Sequence, residues 1–402
     1  MIMIIITVFL LVYIFYMDSG VAHMENLTIT AAIIVKNEGR CISRCISSAV
    51  NVVDEIIIVD TGSDDNTIDI INNFENNKIR LYSAGWHQSF SAARNTAIEK
   101  ATCDYIFFID ADEYLQKPEV SIHRLIIHAR VASQENNIVF CPRISDHNGN
   151  TTSSLRRFFP NNNTFYYCGY VHEELRVKDN RDFTVAALDI TIFHDGYIPE
   201  VIAGKDKIKR NQVLNNANLK FEPDNLRWHY FYHRDLWGVI PPEESYLSLL
   251  NSITLNRTND LSYENIKKSP YTFAFLDLMA RSCLLRENCQ DEILKIIDVM
   301  NIIVPKNSNA IYYESIYQLL SWRVTSTRIL HDLLNYRKTR IQVHEDMLHS
   351  DGIHIDAAIS FFLYEMHHYH QAKKLLNSVH DCGFQTDLTN EYLRKLTECE
   401  HK

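Results

Sequence analysis

Ile106-Phe107-Phe108-Ile109-Asp110-Ala111-Asp112 is the stretch that decides the fold of this chain. A continuous apolar run of this kind is typical of a strand buried inside a sheet. The run ends in two carboxylates, at the end of a strand where open α/β sheets bind their ligands. Neighbouring carboxylates repel each other unless a cation lies between them. The stretch therefore predicts a Mg²⁺-type site completed by substrate phosphate oxygens. The alternative is that Asp110 caps the following helix and Asp112 is a solvated loop acid.

The residues around this stretch alternate between strand and helix patterns. Apolar, β-branched runs predict strands at 28–35, 55–59, 79–83 and 105–109. Apolar residues at helical spacing predict helices at 40–50, 64–74 and 89–101. This alternation indicates a mostly parallel, doubly wound α/β sheet. Between 136 and 195 short β-like runs joined by polar turns predict antiparallel strands appended to this core, a place for an acceptor site.

From about residue 208 the pattern is helical to the end of the chain. A bridging helix at 205–220 and a break at 222–225 are followed by predicted helices at 225–237, 242–255, 268–285, 289–302, 308–320, 324–336, 352–366 and 368–379. Their spacing resembles helical-hairpin (TPR-like) repeats of roughly 34 residues, and the alternative is an irregular bundle. The predicted division is an apolar segment at 1–24, an α/β domain at 25–220 and an all-α domain at 221–402.

The composition excludes several classes of protein. With 402 residues and 46% hydrophobic content, the chain is long enough for two or three packed domains. Its net charge of −10 comes without a basic stripe, which disfavours nucleic acid as a partner. The nine cysteines are odd in number and contain no Cys-x-x-Cys, so we expect reduced thiols in a cytosol and no zinc site.

The N-terminal stretch at 2–16 carries no charge and is shorter than the roughly 20 residues that span a bilayer. It also lacks the basic start and cleavage site of a signal peptide. Two interpretations stay open, a short membrane anchor or a mis-assigned start with Met24 as the true beginning. We expect a cytoplasmic protein, with membrane association through residues 1–17 as the alternative.

Polar residues follow the other predicted strands as well. Asn37 and Glu38 follow the first strand, and Asp60 and Ser63 follow the second. The carboxylates of Glu38 and Asp60 are suited to accept hydrogen bonds from a base or a ribose, whereas Ser63 has the alternative role of a helix cap. Neither a G-x-G-x-x-G nor a Walker A sequence is present, which disfavours a dinucleotide or P-loop fold.

Four further positions are candidates for chemistry. Arg94, near the start of a predicted helix, either reaches the pocket or stabilises the Asp-x-Asp loop, and the alternative is a surface pair with Glu99. His172 and Glu173 are adjacent, and an acid beside a histidine in a cleft is a candidate general base. His194 ends the last β-like run and is a candidate third metal ligand, although a lone histidine is usually structural. The basic groups at 156–157 and 205–210 either neutralise a diphosphate or are solvated.

Four motifs in order carry a family resemblance. They are IIVKNE at 33–38, IVDTGSDDNT at 58–67, SAARN at 91–95 and FIDADE at 108–113. Together they resemble the inverting glycosyltransferases of family 2, which have the GT-A fold. RRFF at 156–159, VHEE at 171–174 and HDGY at 194–197, with helical repeats after them, look like the sublancin-type peptide S-glycosyltransferases that modify bacteriocin precursors.

The resemblance implies a UDP-sugar donor, an acceptor Cys (or Ser/Thr) in a peptide, and a homodimer. The residues implied in binding the nucleotide sugar are Val35, Asn37, Glu38, Asp60, Ser63, Arg94, Asp110 and Ala111. Mg²⁺ or Mn²⁺ is implied at Asp110, Asp112 and His194, and the implied catalytic residues are Glu173 or His172 as base, with Asp112. The alternatives are the same chemistry on a cell-envelope glycan and an inactive helical-repeat scaffold.

Overall fold

The computed structural model describes residues 27–133, 137–146, 148–178, 183–194, 207–255, 260–286, 289–339, 348–349 and 351–399. The chain divides into two compact units, Met1–Ile240 and Pro241–Lys402, whereas the sequence prediction placed the boundary after residue 220. The predictions for residues 1–24 lie outside the described part. In the part that is described, every helix is too short or too polar to cross a bilayer.

The strands of the first unit follow one another along its whole length. They are β1 (Ile29–Val35), β2 (Glu55–Asp60), β3 (Ile79–Ser83), β4 (Tyr105–Phe108), β5 (Glu113–Leu115), β6 (Ile138–Asp146), β7 (Thr151–Thr152), β8 (Phe158–Pro160), β9 (Phe165–Cys168), β10 (Glu174–Val177) and β11 (Thr184–His194). Nearly all of them form one sheet in the order β3-β2-β1-β4-β8-β6-β11-β5, with β7 on β6, and β9 and β10 form a separate antiparallel pair.

The first four strands form the predicted parallel core, since β3, β2, β1 and β4 are parallel neighbours. The later strands continue this sheet and are only partly antiparallel. Strand β8 runs antiparallel to β4, but β11 lies parallel to β6 along most of its length. The expectation that the strands of 136–195 are uniformly antiparallel is therefore wrong. The reason is that β6 and β11 are separated by β7 to β10, a connection long enough for a parallel crossover.

Helices cover the sheet and complete the first unit. They are α1 (Ile42–Ala49), α2 (Thr67–Asn72), α3 (Phe90–Lys100), α4 (Ile122–Ser133), α5 (Lys207–Phe221) and α6 (Leu226–Asp235). The sequence analysis omitted α4 and made α2 too long. Apolar side chains pack on both faces of the sheet: Ala31 and Ile33 belong to one core cluster and Ala32 to the other. Burial on both faces explains why the first strands read as continuous apolar runs.

The described part of the second unit is all-helical, as predicted. Its helices are α7 (Pro242–Ile253), α8 (Thr272–Leu284), α9 (Gln290–Ile303), α10 (Ser308–Thr339), α11 (Ile353–Glu365), α12 (Tyr369–Asp381) and α13 (Asp387–Cys399). Each helix contacts the next along the chain, as in stacked helical hairpins. The two helices predicted at 308–320 and 324–336 are one continuous helix, because no Gly or Pro interrupts the chain between them.

The eight cysteines whose side chains the structure describes are free thiols. Cys283, Cys289 and Glu292 of the second unit place a ligand atom each within 4.8 Å of one another. The guanidinium of Arg286 already lies among them, donating to Glu292 at 3.2 Å and contacting the Cys283 sulfur at 3.8 Å. A resident cation therefore already neutralises this group.

Candidate active site

The Asp-x-Asp loop joins β4 to β5 and is closed by reciprocal hydrogen bonds. The Glu113 amide donates to the Asp110 carbonyl oxygen at 2.9 Å, and the Asp110 amide donates to Glu113 Oε2 at 2.8 Å. Ala111 between the two aspartates is buried. These contacts fix the loop, so its two aspartates project into different surroundings.

Asp110 lies between two guanidinium groups. Its Oδ1 accepts from Arg94 Nη2 at 2.9 Å, and its Oδ2 accepts from Arg157 Nη2 at 2.8 Å. Burial raises the pKa of the Asp110 carboxyl, but the charges of Arg157 and Arg94 outweigh it and hold the pKa below its usual range. Each Asp110 oxygen therefore already accepts one guanidinium hydrogen bond, and the carboxylate is paired with two positive charges.

Glu113 is the third carboxylate of the loop and is almost completely buried. Its Oε2 accepts from Arg157 Nη1 at 2.9 Å. Burial, with the nearby Asp110 charge, raises the pKa of Glu113 to about 7 even though Arg157 opposes the shift. Arg157 thus bridges Asp110 and Glu113 and ties β8 to the loop.

Asp112 faces His194, with 3.6 Å between Oδ1 and Nε2. The pairing of β5 with β11 brings them together, since Glu113 and His194 are register partners. Burial lowers the pKa of His194, but the hydrogen bond and charge of Asp112 outweigh it, so the pKa is raised overall. A carboxylate oxygen and an imidazole nitrogen at this separation form a donor set that Mn²⁺ and Mg²⁺ accept.

Arg94 connects the loop to a second acidic residue. Its Nε donates to Glu173 Oε1 at 2.6 Å while Nη2 is bound to Asp110. The guanidinium lies over the rings of Phe108 and Tyr167, at 5.1 and 5.2 Å from their centroids. Arg94 is buried and bound to Asp110 and Glu173, so it is not a surface residue paired with Glu99, and its role in binding the nucleotide sugar stays a prediction.

His172 precedes Glu173 in a left-handed backbone conformation, with φ of 53°. Its Nε2 lies 2.6 Å from Asp235 Oδ2 at the end of α6, and its ring stacks on Phe231 at 4.2 Å. The His172 carbonyl oxygen accepts from Arg227 Nε at 2.9 Å and from Nη2 at 2.6 Å. His172 and Glu173 are therefore adjacent, but their side chains bind different partners: Asp235 for His172 and Arg94 for Glu173.

The loops after β1 and β2 meet at the same edge of the sheet. The Asn37 amide donates to Ser63 Oγ at 2.9 Å, and the Thr61 amide donates to the Val35 carbonyl oxygen at 3.0 Å. Asp60 accepts from the backbone amide of Ser63 at 3.1 Å. These contacts gather the strand-end residues of the predicted nucleotide pocket at one edge.

Glu38 lies in the same corner and is buried. Its Oε2 accepts from the Cys41 thiol at 3.3 Å and lies 3.8 Å from Arg40 Nη2. The Glu38 amide donates to Thr67 Oγ1 at 2.8 Å, which ties the β1 loop to the start of α2. These hydrogen bonds hold the Glu38 side chain and the loop after β1 in place.

The sequence analysis missed two members of the network as individual site residues. Arg157 was noted only as part of a basic doublet; it lies just before β8, and the pairing of β8 with β4 brings it to the loop that follows β4. Asp235 carries no signal, because it lies 63 residues after its partner His172. The 195–206 part of the basic and HDGY segments lies outside the described residues.

Comparisons with known proteins show what this chain is similar to. Residues 30–193 match the family described as Glycosyl transferase family 2. The SPbeta prophage-derived glycosyltransferase SunS of Bacillus subtilis (strain 168) is 31% identical over 302 residues, which are 74% of this chain and 68% of SunS. A chondroitin synthase of Pasteurella multocida is 23% identical over 91% of this chain and 36% of its own length. The crystal structure of S. aureus TarS 1-349 in complex with UDP-GlcNAc covers 73% of this chain and 92% of that chain, with 14% identity and a TM-score of 0.35.

Proposed function

This chain belongs to glycosyl transferase family 2 and is a glycosyltransferase, and from that premise we propose that it moves a hexose from a UDP-sugar to a cysteine, or to a Ser or Thr, of a bacteriocin-type precursor peptide. The observation that carries the proposal is the continuous path from Glu173 through Arg94 to Asp110. It joins a base candidate to the Asp-x-Asp loop through a single buried cation. The peptide acceptor rests on the motif resemblance and on the 31% identity with SunS.

We assign the divalent metal to Asp112 and His194. Their oxygen and nitrogen atoms face each other at 3.6 Å, whereas Asp110 is held by two guanidinium groups. The raised pKa of His194 means that the metal competes with a proton for the imidazole. A bound Mg²⁺ or Mn²⁺ would neutralise charge on the leaving diphosphate. Asp110 would keep Arg94 and Arg157 in place.

Transfer breaks the bond between the anomeric carbon and the β-phosphate oxygen, and the electron pair leaves with UDP. The acceptor sulfur or oxygen forms the new bond from the opposite face, which inverts the configuration. We assign the acceptor proton to Glu173, whose Oε1 is bound by Arg94 while Oε2 has no hydrogen bond within the described residues. Arg94 fixes the direction of this carboxylate, so a proton is accepted at one defined oxygen.

The nucleotide part of the donor is assigned to the corner formed by the β1 and β2 loops. Val35, Asn37, Glu38, Asp60 and Ser63 are gathered there by their mutual hydrogen bonds. The buried carboxylates of Glu38 and Asp60 are suited to accept from uracil N–H or ribose hydroxyls. This assignment follows the rule that ligands of such sheets bind at the carboxyl ends of the strands.

A second candidate acceptor is a glycan. The chondroitin synthase of Pasteurella multocida matches 91% of this chain, although at only 23% identity. The donor site and the base would be the same with either acceptor. The two candidates therefore differ only in what accelerates the release of UDP.

The test is UDP release from a panel of UDP-sugars with Mn²⁺ or Mg²⁺, with and without peptides that contain one Cys or one Ser. Metal-dependent release that a peptide accelerates, with a sugar-mass adduct on that peptide, supports the proposal. Metal-dependent release accelerated only by an oligosaccharide moves the acceptor to a glycan. Absence of release with every donor and acceptor contradicts the proposed reaction.

A further inference from the structure

The carboxylate of Asp235, at the end of α6, is the hub of a polar cluster that no motif marks. It accepts from His172 Nε2 at 2.6 Å, from Asn211 Nδ2 at 3.1 Å and from Asn215 Nδ2 at 3.2 Å. Its other oxygen accepts from Arg234 Nη2 at 2.7 Å. Side chains from α5 and α6 thus converge on one carboxylate beside the base candidate.

We propose that Asp235 is a positioning residue that acts through His172 to aim the carboxylate of Glu173 at the acceptor. The inference rests on the proposed function, because it concerns how the base of that reaction is held. It also separates the roles of the two adjacent residues, with Glu173 as the base and His172 as its support.

The backbone explains why such support is needed. His172 has a φ of 53°, a left-handed conformation that is uncommon for residues other than glycine and persists where surrounding contacts stabilise it. Asp235 holds the ring at Nε2, and Phe231 holds its face at 4.2 Å. Arg227 donates to the carbonyl oxygen of His172 at 2.6 Å and to that of Glu173 at 3.3 Å. Ring and carbonyl contacts together fix the peptide from which the Glu173 side chain departs.

The charges around the ring match this role. Arg234 Nη2 lies 3.4 Å from His172 Nε2. The charges of Asp235 and Glu173 both interact favourably with the Arg210 guanidinium of α5. Burial raises the pKa of Asp235, but the His172 hydrogen bond and the Arg234 charge outweigh it and keep the carboxyl ionised. An ionised carboxylate accepts from Nε2–H, so Asp235 fixes which ring nitrogen carries the proton.

The first arm of the experiment compares Asp235→Asn with Asp189→Asn in the full chain. Asparagine has a shape similar to that of aspartate, but it has one acceptor oxygen, whereas the two oxygens of Asp235 bind His172 and Arg234. Asp189 is 81% exposed and serves as a matched loss of charge. Transfer from UDP-glucose to a peptide with one Cys is measured at pH 7 and pH 9.5. A thiol of pKa about 8.5 is about 3% ionised at pH 7, which limits the loss from a misdirected base to about 30-fold.

We expect Asp235→Asn to lose about 10-fold in turnover at pH 7 with an unchanged KM for UDP-glucose, and to recover to within about 2-fold of wild type at pH 9.5. Glu173→Gln should show the same recovery, because the acceptor thiolate then needs no base. A general distortion of the fold would not be repaired by ionising the acceptor. An equal loss at both pH values, or a raised donor KM, therefore overturns the inference.

The second arm tests whether His172 itself takes the proton. In His172→Gln the amide nitrogen reaches the place of Nε2 and can donate to Asp235, but the side chain cannot act as a base. His172→Asn tolerates the left-handed backbone but is too short to reach Asp235. We expect the Gln variant to keep most of the turnover at pH 7 and the Asn variant to lose as much as Asp235→Asn.

If His172→Gln is as impaired as Glu173→Gln, His172 is the base and the positioning role is wrong. If the wild-type protein transfers the sugar and Asp235→Asn does so equally well, the inference is wrong, but the proposed function is not affected. A wild-type protein that transfers to no acceptor overturns the proposed function and this inference together.

Discussion

The two units of the chain bury different kinds of polar residue. In the described part of the first unit the buried set includes Glu38, Glu55, Asp60, Arg94 and Glu113. In the described part of the second unit the buried polar residues are only serines and threonines. Hydroxyl groups can satisfy themselves on the carbonyls of their own helix, as Ser252 does with Ser248. Buried charges instead need partners from distant parts of the chain.

The first unit therefore buries charged side chains, whereas the described core of the second unit is held together by apolar packing. Taking a charge out of water costs several kcal/mol, and ion pairing recovers that cost only with good geometry. In the first unit this desolvation cost arises at the Asp-x-Asp loop, where ion pairs join Asp110, Arg94, Arg157 and Glu113 in a continuous network. Charged groups of this kind cluster where chemistry occurs. The second unit resembles an ordinary helical core.

The largest effect is expected at Asp112, the carboxylate that we assign to the metal. Asp112→Asn should lower metal-dependent UDP release by at least about 10³-fold, because the charged metal ligand is lost. The unfolding midpoint should stay near the wild-type value, since asparagine keeps the shape of Asp112 and an acceptor oxygen facing His194. Release is measured across a Mn²⁺ titration, with Asp189→Asn as control. Wild-type activity in Asp112→Asn would remove this residue from the metal site.

The next effect concerns Asp110, whose loss should appear in stability. Asp110→Asn leaves Arg94 and Arg157 buried with one counter-charge fewer, and it should lower the free energy of unfolding of the first unit by about 3–5 kcal/mol. Urea unfolding is followed by tryptophan fluorescence in a Trp322→Phe background, which keeps tryptophans only in the first unit. An unchanged stability would mean that the ion pairs contribute little to the fold.

A core truncation in the second unit tests the other side of the comparison. Leu376 is fully buried in a cluster with Ala357, Ala372, Val379 and Leu396. Leu376→Ala should destabilise this unit by about 2–5 kcal/mol through the lost contacts and the cavity left behind. UDP affinity, measured by calorimetry, should not change, because every assigned donor-site residue lies in the first unit. A weaker affinity would show that the helical unit supports the donor site.

The smallest effect is a pH dependence from His233, which is buried in the first unit. Burial, with His229 nearby, lowers the pKa of His233 to about 4. The unfolded chain takes up this proton near pH 6.5 and the folded chain does not, so stability is lost as the pH falls from about 6.5 to about 4. We expect about 2 kcal/mol between pH 7 and pH 5 from this group. In His233→Gln the change in unfolding free energy between pH 7 and pH 5 should be smaller by that amount, and an unaltered change would contradict the assignment.

The sequence predicted the first half of the fold well, because its signals are local. The apolar runs of β1, β2 and β4 and the helical spacing at 40–50 and 89–101 specify their own elements within a few positions. The strands after residue 136 were harder to predict, since their partners are distant in sequence. Whether β11 lies parallel to β6 depends on the path of the chain between them. Helix α10 was predicted as two helices because a helical-hairpin repeat was expected, but it is continuous.

Residue type and position were enough to propose candidate site residues, but they did not predict the partners of those residues. The metal and base assignments remain predictions, and the structure adds that Asp110 and Asp112 face different groups. Nothing in the sequence assigns Arg157 to both Asp110 and Glu113, because ion pairing depends on distances across the sheet.

The sequence by itself determined that this chain is an α/β protein with acidic strand ends and a helical second half, and its motifs indicated the family. Periodicity and turn chemistry act over short distances, so they can be read without coordinates. Only the tertiary structure decided which acid is neutralised by arginines, which one faces a histidine, and that Asp235 lies within hydrogen-bond distance of His172, 63 residues away in sequence. Electrostatic pairing falls steeply with distance in space, and sequence separation does not report that distance.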